Sequence, residues 1–158
     1  MQRKVLLGSF FCFVALSSAA LPAAYPLHHA AQTGNVKRLH ELLEHDPASI
    51  NAGDEDNWTL LHSAAANGRF ACIKLLLQRG AHVNAQDRSG LTPLHSAARY
   101  GYITNVQELL NSGADFEAKT NKGKTAKEIA EEEGHSKIVT LLQNYENNKN
   151  FPTIPVAA

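Results

Sequence analysis

The chain has little of what marks a specialised class of protein. Two cysteines in 158 residues exclude a disulfide-stapled mini-scaffold, which needs several bridges. Aromatic residues make up only 7%, so the apolar content is mostly Leu and Ala, which favour helices. Net charge is absent. Fifteen basic residues balance fifteen acidic ones, leaving no overall field to draw in nucleic acid or an anionic membrane. Charged residues at 19% and hydrophobic residues at 44% exclude a wholly disordered chain. The length suits one domain.

The one long apolar run stands at the N-terminus. Met1 to Lys4 is short and basic, Val5 to Leu16 is almost unbroken apolar, and Ser17-Ser18-Ala19-Ala20 precedes Leu21-Pro22. This is the layout of a secretory signal peptide over residues 1–20, cleaved after Ala20. The apolar core, about a dozen residues, is short of the roughly 20 that span a bilayer, which disfavours the other reading, an uncleaved anchor. Ser9-Phe10-Phe11 puts bulky rings before Cys12 where a lipoprotein signal needs small residues. Loss of Arg3 and Lys4 leaves 13 basic against 15 acidic residues, and loss of Cys12 leaves Cys72 alone. The expected location is therefore secreted or periplasmic, with a fold held by packing rather than by disulfides.

Beyond the leader the chain repeats itself. Pro26-Leu27-His28-His29-Ala30-Ala31-Gln32-Thr33-Gly34 aligns with Leu60-Leu61-His62-Ser63-Ala64-Ala65-Ala66-Asn67-Gly68 and with Pro93-Leu94-His95-Ser96-Ala97-Ala98-Arg99-Tyr100-Gly101. A more diverged fourth copy runs from Ala126 to Gly134, and the closing glycines lie 34, 33 and 33 residues apart. Each unit carries its own helix signals. In the third, Thr92 can cap, Pro93 suits the first helical position and Gly101 supplies a left-handed stop. A second helix is predicted from Ile103 to Asn111, with Ile103, Val106, Leu109 and Leu110 as its apolar stripe. Gly80 to Gly90 reads as a hairpin-like finger, and Asn57 takes the left-handed slot that is Gly90 and Gly123 elsewhere. Thr125 and Glu128 fit a capping box.

These residues resemble the ankyrin repeat family. Its Thr-Pro-Leu-His signature stands intact at Thr92-Pro93-Leu94-His95, and appears as Thr59-Leu60-Leu61-His62 and Tyr25-Pro26-Leu27-His28. Gly80-Ala81-His82-Val83-Asn84-Ala85 and Gly113-Ala114-Asp115-Phe116-Glu117-Ala118 resemble the family's finger strand. The resemblance implies an all-α solenoid of stacked helix–turn–helix repeats, with β-hairpin-like finger loops and a concave protein-binding face. The repeat domain spans 21–145, in units of about 24–53, 54–86, 87–119 and 120–145, and 146–158 reads as a flexible tail that would otherwise serve as a docking peptide. Tyr25 cannot cap as Thr does, and Lys127, Ser136 and Gln143 replace apolar residues of other copies. Solenoids need polar outer faces on their end repeats, so these departures read as caps.

Catalytic and metal chemistry find little support. His28, His62 and His95 recur with the repeat; in the family this His bonds around the turn and ties neighbouring units, and the same is implied here. His40 to His45 resembles a zinc-protease helix, but the second His falls five residues on instead of four. His82 and His135 read as surface residues. Positions equivalent to Cys72 hold Arg38, Asn105 and Ile138, so partial burial without chemistry is the simpler reading. Glu131-Glu132-Glu133 reads as a solvated acidic face. Asn57-Trp58-Thr59 is a glycosylation sequon whose turn geometry disfavours use. No catalytic residue, metal ligand, cofactor or small-molecule substrate is expected, and a membrane enters only if the leader is retained.

A binding surface remains. The template places partner contacts on finger tips (Glu55, Asp56 and Trp58; Arg88, Ser89 and Leu91; Lys122 and Lys124) and on first helices (Asn67; Arg99 and Tyr100). Trp58 and Tyr100 are expected to face one groove; the rival reading packs Trp58 against the first finger. Charge runs from acidic at Asp54 to Asp56 toward basic at Lys119, Lys122 and Lys124, which suits a protein partner better than nucleic acid, where one sign is wanted throughout. The expected function is non-enzymatic binding of a protein in the exported compartment, as an accessory or inhibitor. The alternatives are an exported factor acting on a host or neighbouring cell, and an enzyme built on His or Cys72.

Overall fold

A computed structural model describes residues 24–149. The expected leader, residues 1–20, lies outside the described residues, as do 21–23 and 150–158. Among the described residues eight helices follow one another in pairs: α1 (Ala24–Thr33) and α2 (Val36–His45), α3 (Leu60–Ala66) and α4 (Phe70–Gln78), α5 (Pro93–Arg99) and α6 (Ile103–Asn111), α7 (Ala126–Glu132) and α8 (Ser136–Lys149). A 3-10 turn, Pro47–Asn51, follows α2. The odd-numbered helices stack in one row and the even-numbered in a second.

The sequence explains the rows. Ala30, Ala31, Ala64, Ala65, Ala97, Ala98 and Ala130 are buried along the inner row, where small side chains let short helices approach closely. The outer row contributes bulk through Leu39, Leu43, Ile73, Leu76, Val106, Leu109, Ile138 and Leu142, all in one continuous core. Each inner helix stops at a glycine with positive φ: Gly34, Gly68, Gly101 and Gly134. The first three are also covered by the next repeat. A Cβ would come within 2.9 Å of Arg69 at Gly34, 2.6 Å of Tyr102 at Gly68 and 2.8 Å of His135 at Gly101. Arg69 Nε donates to Gln32 O at 2.9 Å and His135 Nε2 donates to Arg99 O at 2.9 Å. His135 is thus an inter-repeat contact and not the plain surface residue expected.

The fingers are tight turns rather than ladders. Among the described residues the one β-bridge joins Gly53 to Thr59. Asp54 N–H donates to Trp58 O (3.1 Å), Asp87 N–H to Leu91 O (3.0 Å) and Thr120 N–H to Lys124 O (3.0 Å). Each closes a three-residue loop that ends in a left-handed residue. Asn57 fills that slot with φ 60°, where Gly90 and Gly123 have φ 76°. Asp54 Oδ1 and Asp87 Oδ1 each accept two backbone N–H groups across their tips at 2.8–2.9 Å.

Helix α8 continues to Lys149, past Tyr145, where the repeat domain was expected to end. Lys127 Nζ donates to Glu146 Oε2 at 2.9 Å and to Gln143 Oε1 at 3.2 Å, holding that turn onto α7. Two of the polar substitutions expected to cap the last repeat, Lys127 and Gln143, therefore bond to each other. No helix among the described residues is long and apolar enough to cross a membrane.

Candidate functional site

The concave side is assembled from finger tips and the exposed ends of the inner helices, and histidines set its register. In the second repeat Thr59 N–H donates to His62 Nδ1 (3.2 Å) while His62 Nε2 reaches Leu91 O (2.9 Å) on the next finger. Because a backbone N–H can only donate, Nδ1 is bare and Nε2–H donates to the carbonyl. The third repeat repeats this: Thr92 N–H to His95 Nδ1 at 3.1 Å, His95 Nε2 to Lys124 O at 3.1 Å. Both imidazoles are fully buried. Burial lowers their pKa values, outweighing the opposing bonds to Leu91 and Lys124, so both rings are neutral at pH 7. The first repeat breaks the pattern. His28 Nδ1 meets Ser63 Oγ at 3.1 Å, and its Nε2 is buried with no partner among the described residues.

Finger tips are also joined to one another. Arg88 N–H donates to Asp56 O and Asn121 N–H to Ser89 O, both at 2.9 Å. Below the tips, Asn51 Oδ1 accepts from His82 N–H (2.7 Å) and Asn84 Oδ1 from Asp115 N–H (2.8 Å). The fingers are therefore tied to one another at tip and base.

On this rigid side the sequence-predicted residues divide into free and engaged. Glu55 and Lys122 are exposed. Arg88 pairs with Asp56 at 3.3 Å, Arg99 with Glu133 at 4.0 Å and Lys124 with Glu132 at 2.6 Å; such exposed pairs contribute about 0–1 kcal/mol each. Asn67 Nδ2 donates back to Ser63 O at 2.8 Å. Ser89 Oγ bonds to the Asp87 carboxylate, and Leu91 is half-buried. Trp58 is half-buried, its ring 4.9 Å from that of His62 at an angle of 31°. It lines one depression with Tyr25, His28 and the first finger, and a second with Asp87, Arg88 and Ser89. Tyr100 is 54% exposed and lines neither depression, while Trp58 packs on His62 of its own repeat.

His40, Cys72 and the sequon's Thr59 are each taken up by the fold. His40 Nε2 accepts from Arg79 Nη2 at 2.9 Å, and Arg79 also holds Glu44. Cys72 is fully buried, and burial pushes its thiol pKa up against the opposing pull of Arg69. Thr59 of the sequon is buried with its hydroxyl 2.8 Å from His62 Nδ1. Among the described residues no group of three His, Cys, Asp or Glu could hold a metal ion.

The family model for ankyrin repeats (3 copies) matches residues 12–87 and 82–152. The chain belongs to the ankyrin repeat family. Its ankyrin repeats are similar to segments of much larger proteins. They are 45% identical over 53 residues to a transient receptor potential cation channel subfamily A member 1 homolog of Caenorhabditis elegans, covering 34% of this chain and 4% of that protein. Over 51 residues they are 47% identical to cortactin-binding protein 2 of Ornithorhynchus anatinus, covering 32% of this chain and 3% of that one. A probable E3 ubiquitin-protein ligase XBOS31 of rice is 46% identical over 56 residues, 35% of this chain and 13% of its own. The ankyrin fold is a protein–protein interaction module. Beyond the residues named from sequence, Tyr25, His28 and Asp54 also line the concave side beside Trp58. The sequence signal for this was Tyr25, an aromatic ring where the other units carry the capping Thr.

Proposed function

We propose that this protein is a non-enzymatic ankyrin module that binds a protein partner on its concave side in a secreted or periplasmic compartment. The observation that supports this best is the linkage of the fingers. Backbone bonds from Arg88 to Asp56 and from Asn121 to Ser89 hold the tips in register before any partner arrives, so little ordering entropy is lost on association. The leader sequence supports export.

The test is capture by the tagged full-length chain from the producing cells' periplasm and medium. A variant carrying Arg99→Ala and Tyr100→Ala, both exposed at the C-terminal end of α5, runs beside it. A protein retained by the wild type and lost by the variant supports the reading; retention of nothing from any fraction refutes it. Export is tested by N-terminal sequencing of the mature protein, expected to begin at Leu21. A chain beginning at Met1 in a membrane fraction refutes it.

A further inference from the structure

The depression between α1 and the first finger differs in chemistry from the rest of the concave side. Its volume is about 700 Å³, and Trp58, Tyr25 and His28 wall it beneath a lip of Asp54, Glu55 and Asp56. That volume suits a side chain with its flanking backbone. No lysine or arginine among the described residues lines it. His28 adds no positive charge, since burial lowers its pKa despite the nearby Asp54 carboxylate. Of the three carboxylates, Asp54 is occupied with two backbone N–H groups and Asp56 shares Arg88 at 3.3 Å. Glu55 is exposed and has no partner among the described residues. Tyr25 is 53% exposed, and Trp58 is held in place by its packing on His62.

We infer that this groove receives an arginine or lysine from an extended segment of the partner, its stem against Trp58 and Tyr25 and its cation at Glu55. The inference rests on the protein-binding function proposed above and names the chemistry of what is bound. Aromatic faces and carboxylates together select an organic cation. A bare divalent ion would leave both rings uncovered and finds no set of converging ligands here. Arginine is favoured over lysine, because its planar cation stacks on an indole and can meet a carboxylate with two parallel bonds.

Trp58 is the chain's one tryptophan, so its fluorescence reports from the groove wall. The experiment titrates the full-length protein with acetyl-Ala-Leu-Arg-Leu-Ala-amide, and in parallel with the same peptide carrying Glu for Arg. The expected result is a saturating change with the Arg peptide alone, weakened by added salt. Glu55→Gln should weaken it roughly fivefold and Tyr25→Ala about threefold, neither change touching the Trp58–His62 contact. No saturation by about 10 mM peptide, or equal responses to both peptides, overturns the inference. Sedimentation of the protein alone covers the remaining occupant: self-association abolished by Glu55→Lys would seat a second copy there and overturn the assignment to a partner's segment. In the capture experiment, a partner retained equally by wild type and Glu55→Lys overturns the groove while the binding function stands.

Discussion

Two histidines at equivalent repeat positions should differ widely in what they contribute to stability. His62 is fully buried; its replacement by Ala removes the acceptor of Thr59 N–H and the donor to Leu91 O. The two losses are unequal. Leu91 O still accepts from Asp87 N–H at 3.0 Å, so its share is small. The buried Thr59 N–H is orphaned, at a cost of about 1–3 kcal/mol. The cavity left by the ring adds to this, and the sum is about 3–4 kcal/mol. His28 loses only its contact with Ser63 Oγ, while its unpaired Nε2 disappears with the side chain. His28→Ala should therefore cost about 0–1 kcal/mol.

Urea unfolding of the two variants measures the difference. With a slope of about 2 kcal/mol per molar, within the range for small domains, His62→Ala should lower the midpoint by about 1.5–2 M and His28→Ala by about 0.5 M at most. End repeats couple to one neighbour only, so a frayed first repeat would mimic the second result. Leu39→Ala is the control, since Leu39 belongs to the same repeat and is fully buried; it should cost about 2–5 kcal/mol. His95→Ala should match His62→Ala. Equal losses at His28 and His62 would refute the reasoning, as would a negligible loss at Leu39, which would assign the asymmetry to fraying.

Three further outcomes are expected. Leu109→Ala, at a fully buried position of α6, should destabilise by about 2–5 kcal/mol; a loss below about 0.5 kcal/mol in urea unfolding would show that the outer row packs otherwise. Gly68→Ala sets a side chain at φ 71° with its Cβ 2.6 Å from the Tyr102 ring, and should lower the thermal midpoint by more than Gly80→Ala, where φ is 87° but nothing lies within 4 Å. Acid should destabilise the fold in a window set by the buried histidines. His28, His62 and His95 all have pKa values lowered by burial, so below about pH 6.5 the unfolded chain binds more protons than the folded one. Stability is then full above that pH and falls as pH drops through the window beneath it. A flat stability profile between pH 7 and 5 would refute this, and His62→Gln should reduce the slope.

How much was legible depended on whether a feature recurs. The Thr92-to-His95 signature, the closing glycines and the left-handed slot at Asn57 are local rules repeated along the chain, so one copy checks another and helix α6 falls at its predicted bounds, Ile103–Asn111. Contacts across repeats were harder to see, because they join positions of unlike residue type. Arg69, Tyr102 and His135 occupy one repeat position and cover the preceding repeat's glycine, yet a cation, a phenol and an imidazole share no pattern. The run of α8 past Tyr145 to Lys149 was hidden for a related reason: Asn147, Asn148 and Lys149 look like tail, and the bond from Lys127 to Glu146 that holds the turn links residues nineteen apart.

The binding side was the least legible, for a physical reason. Sequence shows Arg88, Arg99 and Lys124 near a tip or a helix end, where each reads as a free charge. The structure pairs each with a carboxylate, Asp56, Glu133 and Glu132 in turn, and an exposed paired charge has less left to offer a partner. Glu55 and Lys122 keep theirs, at fingers two repeats apart. The pairing therefore reshapes the smooth gradient read from composition, leaving an acidic, aromatic-walled groove at one end and an exposed lysine tip at the other. The acidic end adds apolar surface to charge, and Trp and Tyr beside a free carboxylate make the combination most able to concentrate binding energy on one side chain.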